Sequence, residues 1–309
     1  MTTQRRERDF ERWGGDPVAF AGLADFEAGF DGPSRAFTID LDGLPFDGMF
    51  RRGTGDGLFV YFSAAVAPQP DRKLPVFNWV SHSRLCTGSA LFLADPTLVL
   101  SDKLNLAWYL GTRTRPLQEA MARVIAAVAR AAGAARIAFV GTSGGGFPSL
   151  WLTERFPGSA AFVNAPTTTI TGHHGQGAVR QFCDVAMDGA PIAGFPGVLD
   201  LPVVTPAKSG SKLVITQNAG DTPFVTHHVA PFLRGMGLQW DGGDVVSENL
   251  LLRMGEPARW GEGHVMPPRD VTRAILGALD KVEGPGFAGL DLAALHRQVV
   301  AADPLPESA

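Results

Sequence analysis

The sequence predicts an α/β fold, a mostly parallel central sheet with helices on both faces. Three observations carry this. Short apolar runs alternate along the chain with amphipathic stretches at helical spacing, which is the pattern of strand-helix units. Some runs, such as "GLFVYFSAAV" and "ARIAFVG", are apolar throughout instead of alternating, as strands buried on both faces must be. Hydrophobic residues make up 45% of the 309 and charged ones 19%, enough for one large core and too apolar for disorder.

The elements follow in order. "AFTIDLDG" and "PFDGMFRRG" read as an opening hairpin with Asp and Gly at the turn. "GLFVYFSAAV" is a central strand. "LPVFNWVSHSR" is ambiguous. "SALFLADPTLVL" is a buried strand ended by Asp95 and Pro96, because the residue before a proline avoids helical backbone. "RPLQEAMARVIAAVARAAG" is the clearest helix, with Gly133 at its stop. "ARIAFVG" is a strand, "GGFPSLWLTERFPG" a helix and "SAAFVNAP" the sixth strand. Residues 166–210 then break the alternation and read as an insertion, a lid, within the domain. "SKLVITQNAGD", "PFVTHHVAPFLRGM", "SENLLLRMGE" and "PRDVTRAILGALDKV" restore it as strand, helix, strand, helix. The expected organisation is an N-terminal extension (1–35), one domain (36–282) and a C-terminal helical tail (283–309) that carries "DLAALHRQVVAAD".

Bulk properties exclude several classes. The net charge of −4 calls for neither nucleic acid nor an anionic membrane. The one basic run, "QRRER", reads as a solvated N-terminal face. Cys86 and Cys183 fit neither a zinc site nor a redox pair, so two buried thiols in a reducing compartment are expected. No secretory signal or membrane-length apolar stretch stands out. A cytoplasmic protein is the expectation.

One stretch carries chemistry: "RIAFVGTSGGGFPSLW", residues 136–151. An apolar strand runs into Gly141-Thr142-Ser143-Gly144-Gly145, and a helix follows. The Gly-x-Ser-x-Gly pattern arises by chance on the order of 0.2 times in a chain this rich in glycine, so the context decides. A serine at a sharp strand-to-helix turn projects its hydroxyl from the strand end. Side chains two residues either side of it would collide, and Gly141 and Gly145 remove them. The Gly144 N–H then points where an oxyanion would form, at the positive end of a helix. No phosphate-binding loop fits, since no Lys follows the glycines.

A serine hydroxyl needs a base, oriented by a carboxylate. Asp221 ends "KLVITQNAGD" at the C-terminal edge of a strand, where sites collect in open sheets. It is the candidate acid, although it could instead cap the next helix. Asp241 and Asp244 lie in a turn-like "WDGGD". His264, in the Gly-rich loop "RWGEGHVMPP", is the candidate base. His227 and His228 read as surface or packing residues of a helix, and His296 lies on the terminal helix. His173 and His174 form a pair with no carboxylate or Cys at ligand spacing, so no metal is expected. The second oxyanion donor should be the backbone N–H of Ala64 or Ala65, with the Ser63 hydroxyl as a possible addition.

With "VGTSGG", "NAGD" and "GEGHVMPP" in this order, residues 36–282 resemble the α/β-hydrolase superfamily. That resemblance implies a Ser143–Asp221–His264 triad. "FLADPTLVLSDKLNLAWYLGT" before "FVGTSGGGFPSL" is similar to the hydrolase-like component of the bacterial accessory Sec system, in Asp95-Pro96 and in Trp108-Tyr109-Leu110-Gly111. Proteins like that one are associated with O-acetylation of glycosylated adhesins. The large extra domain expected there is lacking here.

The expected function is a serine esterase that cleaves a carboxylic ester of a small or medium acyl group through an acyl-enzyme. The alternatives are an O-acyltransferase with the same residues and a non-catalytic, hydrolase-like accessory protein. No cofactor is called for. The expected partner is a small-molecule or glycan ester.

Overall fold

A computed structural model describes residues 4–67, 69, 71–201 and 209–303. Ten strands form one sheet: β1 (Val18–Phe20), β2 (Ala36–Leu41), β3 (Leu44–Arg51), β4 (Gly57–Phe62), β5 (Ser89–Leu93), β6 (Arg136–Thr142), β7 (Ala160–Asn164), β8 (Lys212–Asn218), β9 (Val245–Val246) and β10 (Leu250–Gly255). Their spatial order is β1-β2-β3-β5-β4-β6-β7-β8-β10-β9. From β5 through β10 all neighbours are parallel. β2 and β3 form the expected antiparallel hairpin. Its turn, Asp42-Gly43, has φ of 53° and 86°, the two left-handed residues that a tight two-residue hairpin loop requires.

Helices cover both faces. α1 (Leu23–Gly29), α2 (Gln118–Ala132), α3 (Gly146–Arg155) and α4 (Gln176–Ala186) pack over one core with Leu58, Val60 and Phe62 of β4. α6 (Arg269–Asp280) and α7 (Leu292–Ala301) pack over the other, with Phe59 and Tyr61 of the same strand. The alternation along β4 follows from the period of two, and both sets are apolar because both faces are covered. α2 ends as expected, with Gly133 at φ 66° donating to the carbonyls of Ala129 and Arg130. Between β8 and β9 runs α5, a short α-turn (Thr222–Phe224), a π-helix (Val225–Val229) and an α-helix (Ala230–Gly235).

Within residues 4–35, β1 pairs with β2, and Phe26 of α1 is fully buried. "QRRER" is a solvated face only in part: Gln4, Arg5 and Glu7 are exposed, while Arg6 is buried and donates to the carbonyls of Val66 and Leu104, and Arg8 pairs with buried Asp47. Partners distant in sequence desolvate Arg6, which local composition does not reveal. The additional edge strand makes β7 the seventh strand, so the segment 166–210 follows it and not a sixth. That segment contains α4, and residues 202–208 of it lie outside the described residues. The tail's α7 packs on α6 and contributes Leu292, Leu295 and Val299 to the second core; residues 304–309 lie outside the described residues. No described helix is long and apolar enough to cross a membrane.

Candidate active site

Ser143 stands between β6 and α3 with φ 52°, in the left-handed region that costs a residue with a Cβ about 1–3 kcal/mol. The neighbouring glycines explain how the chain tolerates this turn. A Cβ on Gly141 would lie 2.2 Å from the Gly145 carbonyl oxygen, and one on Gly145 would lie 2.7 Å from that of Ser63. Both obstacles are backbone. At Gly144 the obstacle is a side chain, a would-be Cβ lying 2.2 Å from Leu106 Cδ1 and 3.6 Å from Trp108 Cδ1.

The β4–β6 register pairs Phe62 with Gly141. The loop from Ser63 to Val66 therefore leaves the sheet beside Thr142–Gly144. Among the described residues, the N–H groups of Ala64 and Ala65 make no hydrogen bond. The Ser63 hydroxyl is not open: it donates to the Val76 carbonyl and accepts from Asn78 N–H. The loop is held from three sides. Ser63 N–H donates to the Tyr109 hydroxyl at 2.8 Å, Val66 N–H donates to the Asn105 carbonyl at 2.7 Å, and Arg6 holds the Val66 carbonyl. Tyr109 is itself tied: its hydroxyl donates to the Leu93 carbonyl, and its N–H donates to Asp95 Oδ2 at 2.7 Å. Burial raises the Asp95 carboxyl to about 6. Sequence reasoning noted Asp95 and Tyr109 by resemblance but did not assign this bracing.

Asp221 follows β8 and is 3% exposed. Its Oδ2 lies 2.6 Å from His264 Nδ1. An ionised carboxylate only accepts, so Nδ1 carries the proton and Nε2 is left basic. The loop carrying His264 crosses the C-terminal ends of three strands. Asn218 Nδ2 donates to the carbonyls of Gly261 and Gly263, Asn164 Nδ2 donates to that of Val265, and Thr142 Oγ1 contacts Met266 Sδ at 3.2 Å. These contacts set His264 at the sheet edge from which Ser143 projects. Ser143 Oγ makes no hydrogen bond among the described residues. Phe224 stacks on the His264 ring at 4.2 Å. Asp244 is engaged elsewhere, with Arg253 and His296.

The structure also joins residues that spacing could not. His173 and His174 meet His228, and the nearest ring nitrogens of the three lie within 4.8 Å of one another. His228 is fully buried, as a packing residue is, while His227 is exposed. Burial lowers the His173 imidazole to about 4 and that of His228 to about 3. All three rings touch Phe224, and Trp108 touches His173.

No family model and no curated protein matches the chain. Solved structures do. The chain is similar to the capsule O-acetyltransferase of Neisseria meningitidis serogroup A, at 12% identity and TM-score 0.55 over 79% of this chain and 94% of that one. It is also similar to the acylaminoacyl peptidase of Pyrococcus horikoshii, at 13% identity and TM-score 0.54 over 87% of this chain and 45% of that one. At 12–13% identity the likeness is one of fold. With its sheet order and its strand-serine-helix turn, the chain has the α/β-hydrolase fold.

Proposed function

We propose that the protein is a serine acyl hydrolase that cleaves a carboxylic ester. Ser143 attacks the carbonyl, His264 Nε2 takes its proton and returns it to the leaving alcohol, and Asp221 holds the imidazole in the right tautomer. The N–H groups of Gly144 and of Ala64 or Ala65 receive the oxyanion. Water then releases the acyl group. The observation that carries this is the pairing of a serine at φ 52° on a strand-helix turn with a couple of buried Asp221 and solvent-accessible His264 at the same sheet edge. Leu106 and Trp108 crowd Gly144, which supports a small acyl group. The 166–210 segment is assigned as the lid.

A second reading keeps the residues and replaces water by a hydroxyl acceptor, giving an O-acyltransferase. The similar capsule enzyme is an O-acetyltransferase by name, and the imidazole cluster beside the site favours a polar acceptor. A catalytically silent accessory protein is the third possibility, and a serine in a strained elbow argues against it.

The test is fluorophosphonate labelling of the wild type and of Ser143→Ala, with hydrolysis of p-nitrophenyl acetate and butyrate in parallel. Labelling and turnover should vanish together in the variant. A folded wild type that resists the label would sink the reading.

A further inference from the structure

Residues 4–9 lie between two loops and are stitched to both. The Gln4 carbonyl accepts from Asp102 N–H, Arg6 N–H donates to the Val99 carbonyl, and the Glu7 carbonyl accepts from Leu74 N–H. Arg6 is the buried member, 8% exposed. Its Nη1 donates to the Val66 carbonyl at 3.1 Å and to that of Leu104 at 3.4 Å. These carbonyls take hydrogens but bring no negative charge. Nη2 has no partner among the described residues.

A buried guanidinium normally sits beside a carboxylate, because an unpaired charge removed from water is strongly unfavourable. Arg8, two residues on, follows that rule with Asp47. Arg6 does not. Among the described residues the one charge acting on it is a second cation: burial, and then the charge of Arg72, lower the Arg6 guanidinium from its ordinary value.

The missing negative charge has room. Arg6 lines an open cleft of about 440 Å³ together with Arg5, Arg72, Lys73, Glu7 and Asp102. The Arg5 side chain is exposed and has no partner among the described residues. Arg72 is half-buried, and its Nη1 donates to the Ala67 carbonyl at 3.2 Å. Glu7 is taken up by Lys73, 3.3 Å away. Arg5, Arg6 and Arg72 therefore share the cleft with Asp102 alone, three positive charges against one. An entering anion need not reach Arg6 Nη2. It takes hydrogen bonds from the two accessible guanidiniums, while Arg6 acts on it through protein, where a charge is least screened. The planar fork of a guanidinium matches phosphate oxygens. A phosphate carries up to two negative charges, which answers the surplus, and a protonated phosphate oxygen can donate to Asp102.

We propose that this cleft binds a phosphate group, with Arg5 and Arg72 as direct donors and Arg6 as the charge beneath it, and that occupancy steadies the active site. The link is the pair of carbonyls that Arg6 holds. Val66 follows Ala64 and Ala65 in their loop, and Leu104 precedes Leu106, whose side chain meets Gly144. A bound phosphate relieves the repulsion between Arg6 and Arg72 and so tightens this clamp on both loops. The link to catalysis rests on the serine acyl-hydrolase reading; the binding does not.

The test titrates the wild type with inorganic phosphate or phenyl phosphate, against sodium chloride at matched ionic strength. Binding is read by thermal unfolding and by 31P NMR line width. A dissociation constant on the order of 1 mM is expected, as two charge-assisted hydrogen bonds supply. Tm should then rise by about 3 °C at about 20 mM ligand. The tighter of the two ligands tells whether the group arrives free or on an organic molecule, and binding of either supports the site. Arg5→Gln and Arg72→Gln spare the contacts of Arg6, and each should weaken binding by about tenfold. Arg297→Gln, which removes an exposed arginine of α7, should not. Saturating phosphate should raise kcat for p-nitrophenyl acetate by about fivefold with KM unchanged, and Arg72→Gln should abolish the rise at the same concentration. An equal Tm rise with chloride, a response that never saturates, or unchanged binding in both Arg5→Gln and Arg72→Gln would overturn the site. Saturable binding with an unchanged kcat would overturn its link to the active site. Saturable binding by a folded wild type that hydrolyses nothing would refute the serine reading and leave the site standing.

Discussion

Asp221 and His264 lie 43 positions apart in the chain and 2.6 Å apart at Oδ2 and Nδ1. The carboxylate is buried, while the imidazole side chain remains 39% exposed. This is the asymmetry a proton-transfer pair needs: a fixed acceptor at one nitrogen and access at the other. Asp221→Asn should fold normally but lower kcat by about 10³–10⁴-fold, because the amide no longer enforces the Nδ1–H tautomer. Kinetics with p-nitrophenyl acetate, corrected by fluorophosphonate titration of active sites, would measure it. A loss below about tenfold would mean that Asp221 does not orient the base.

Tyr109 has a different task. Its hydroxyl accepts from Ser63 N–H and donates to the Leu93 carbonyl, so it ties the loop carrying Ala64 and Ala65 to the end of β5. Its backbone, at φ 59° beside Trp108 at φ 51°, is held by Asp95. Tyr109→Phe leaves two buried backbone groups unpaired and should cost about 1–3 kcal/mol of stability. If the loop supplies an oxyanion donor, kcat should also fall with little change in KM. An unchanged kcat in the folded variant would remove Ala64 and Ala65 from the oxyanion site.

Much of this was legible in the sequence, for physical reasons. Ser143, Asp221 and His264 each follow a strand whose apolar run ends in a turn, and strand ends are where an open parallel sheet exposes side chains. His228 was hidden. It lies 54 residues from His174, and no spacing in the sequence brings the two together. β1 was hidden as well, because three residues offer too little pattern. Arg6 was missed because its partners are carbonyls more than 50 residues away, and charge alone predicts solvent.

The glycines of the elbow are not equivalent. A Cβ at Gly141 meets backbone at 2.2 Å, whereas one at Gly144 meets the end of the Leu106 side chain at the same distance. Backbone cannot yield and a leucine can. Gly141→Ala should therefore destabilise by about 1–3 kcal/mol or more. Gly144→Ala should be rescued by Leu106→Ala, with a coupling of about 0.5–3 kcal/mol in a double-mutant cycle measured by urea unfolding. Additive effects at 144 and 106 would show that Leu106 does not pack on the turn in solution.

The buried imidazoles should make stability depend on pH in one direction. Burial places His173 at about 4 and His228 at about 3 in the folded state, against an ordinary value of 6.5. Between those values the unfolded chain binds more protons than the native one, so stability rises with pH there. The contribution is fully present above about 6.5 and is lost as pH falls toward the folded values. Each histidine should add a slope of up to about 1.4 kcal/mol per pH unit between roughly pH 4.5 and 6. His228→Gln removes one titrating group from the cluster, so its stability should fall less steeply over that range than that of the wild type, whatever its absolute value at pH 7.5. Urea unfolding at half-unit intervals from pH 4.5 to 7.5 would compare the two slopes. Parallel slopes would mean that His228 titrates in the folded protein as it does in the unfolded chain, and that the cluster of His173, His174 and His228 is not the neutral, desolvated group its packing implies.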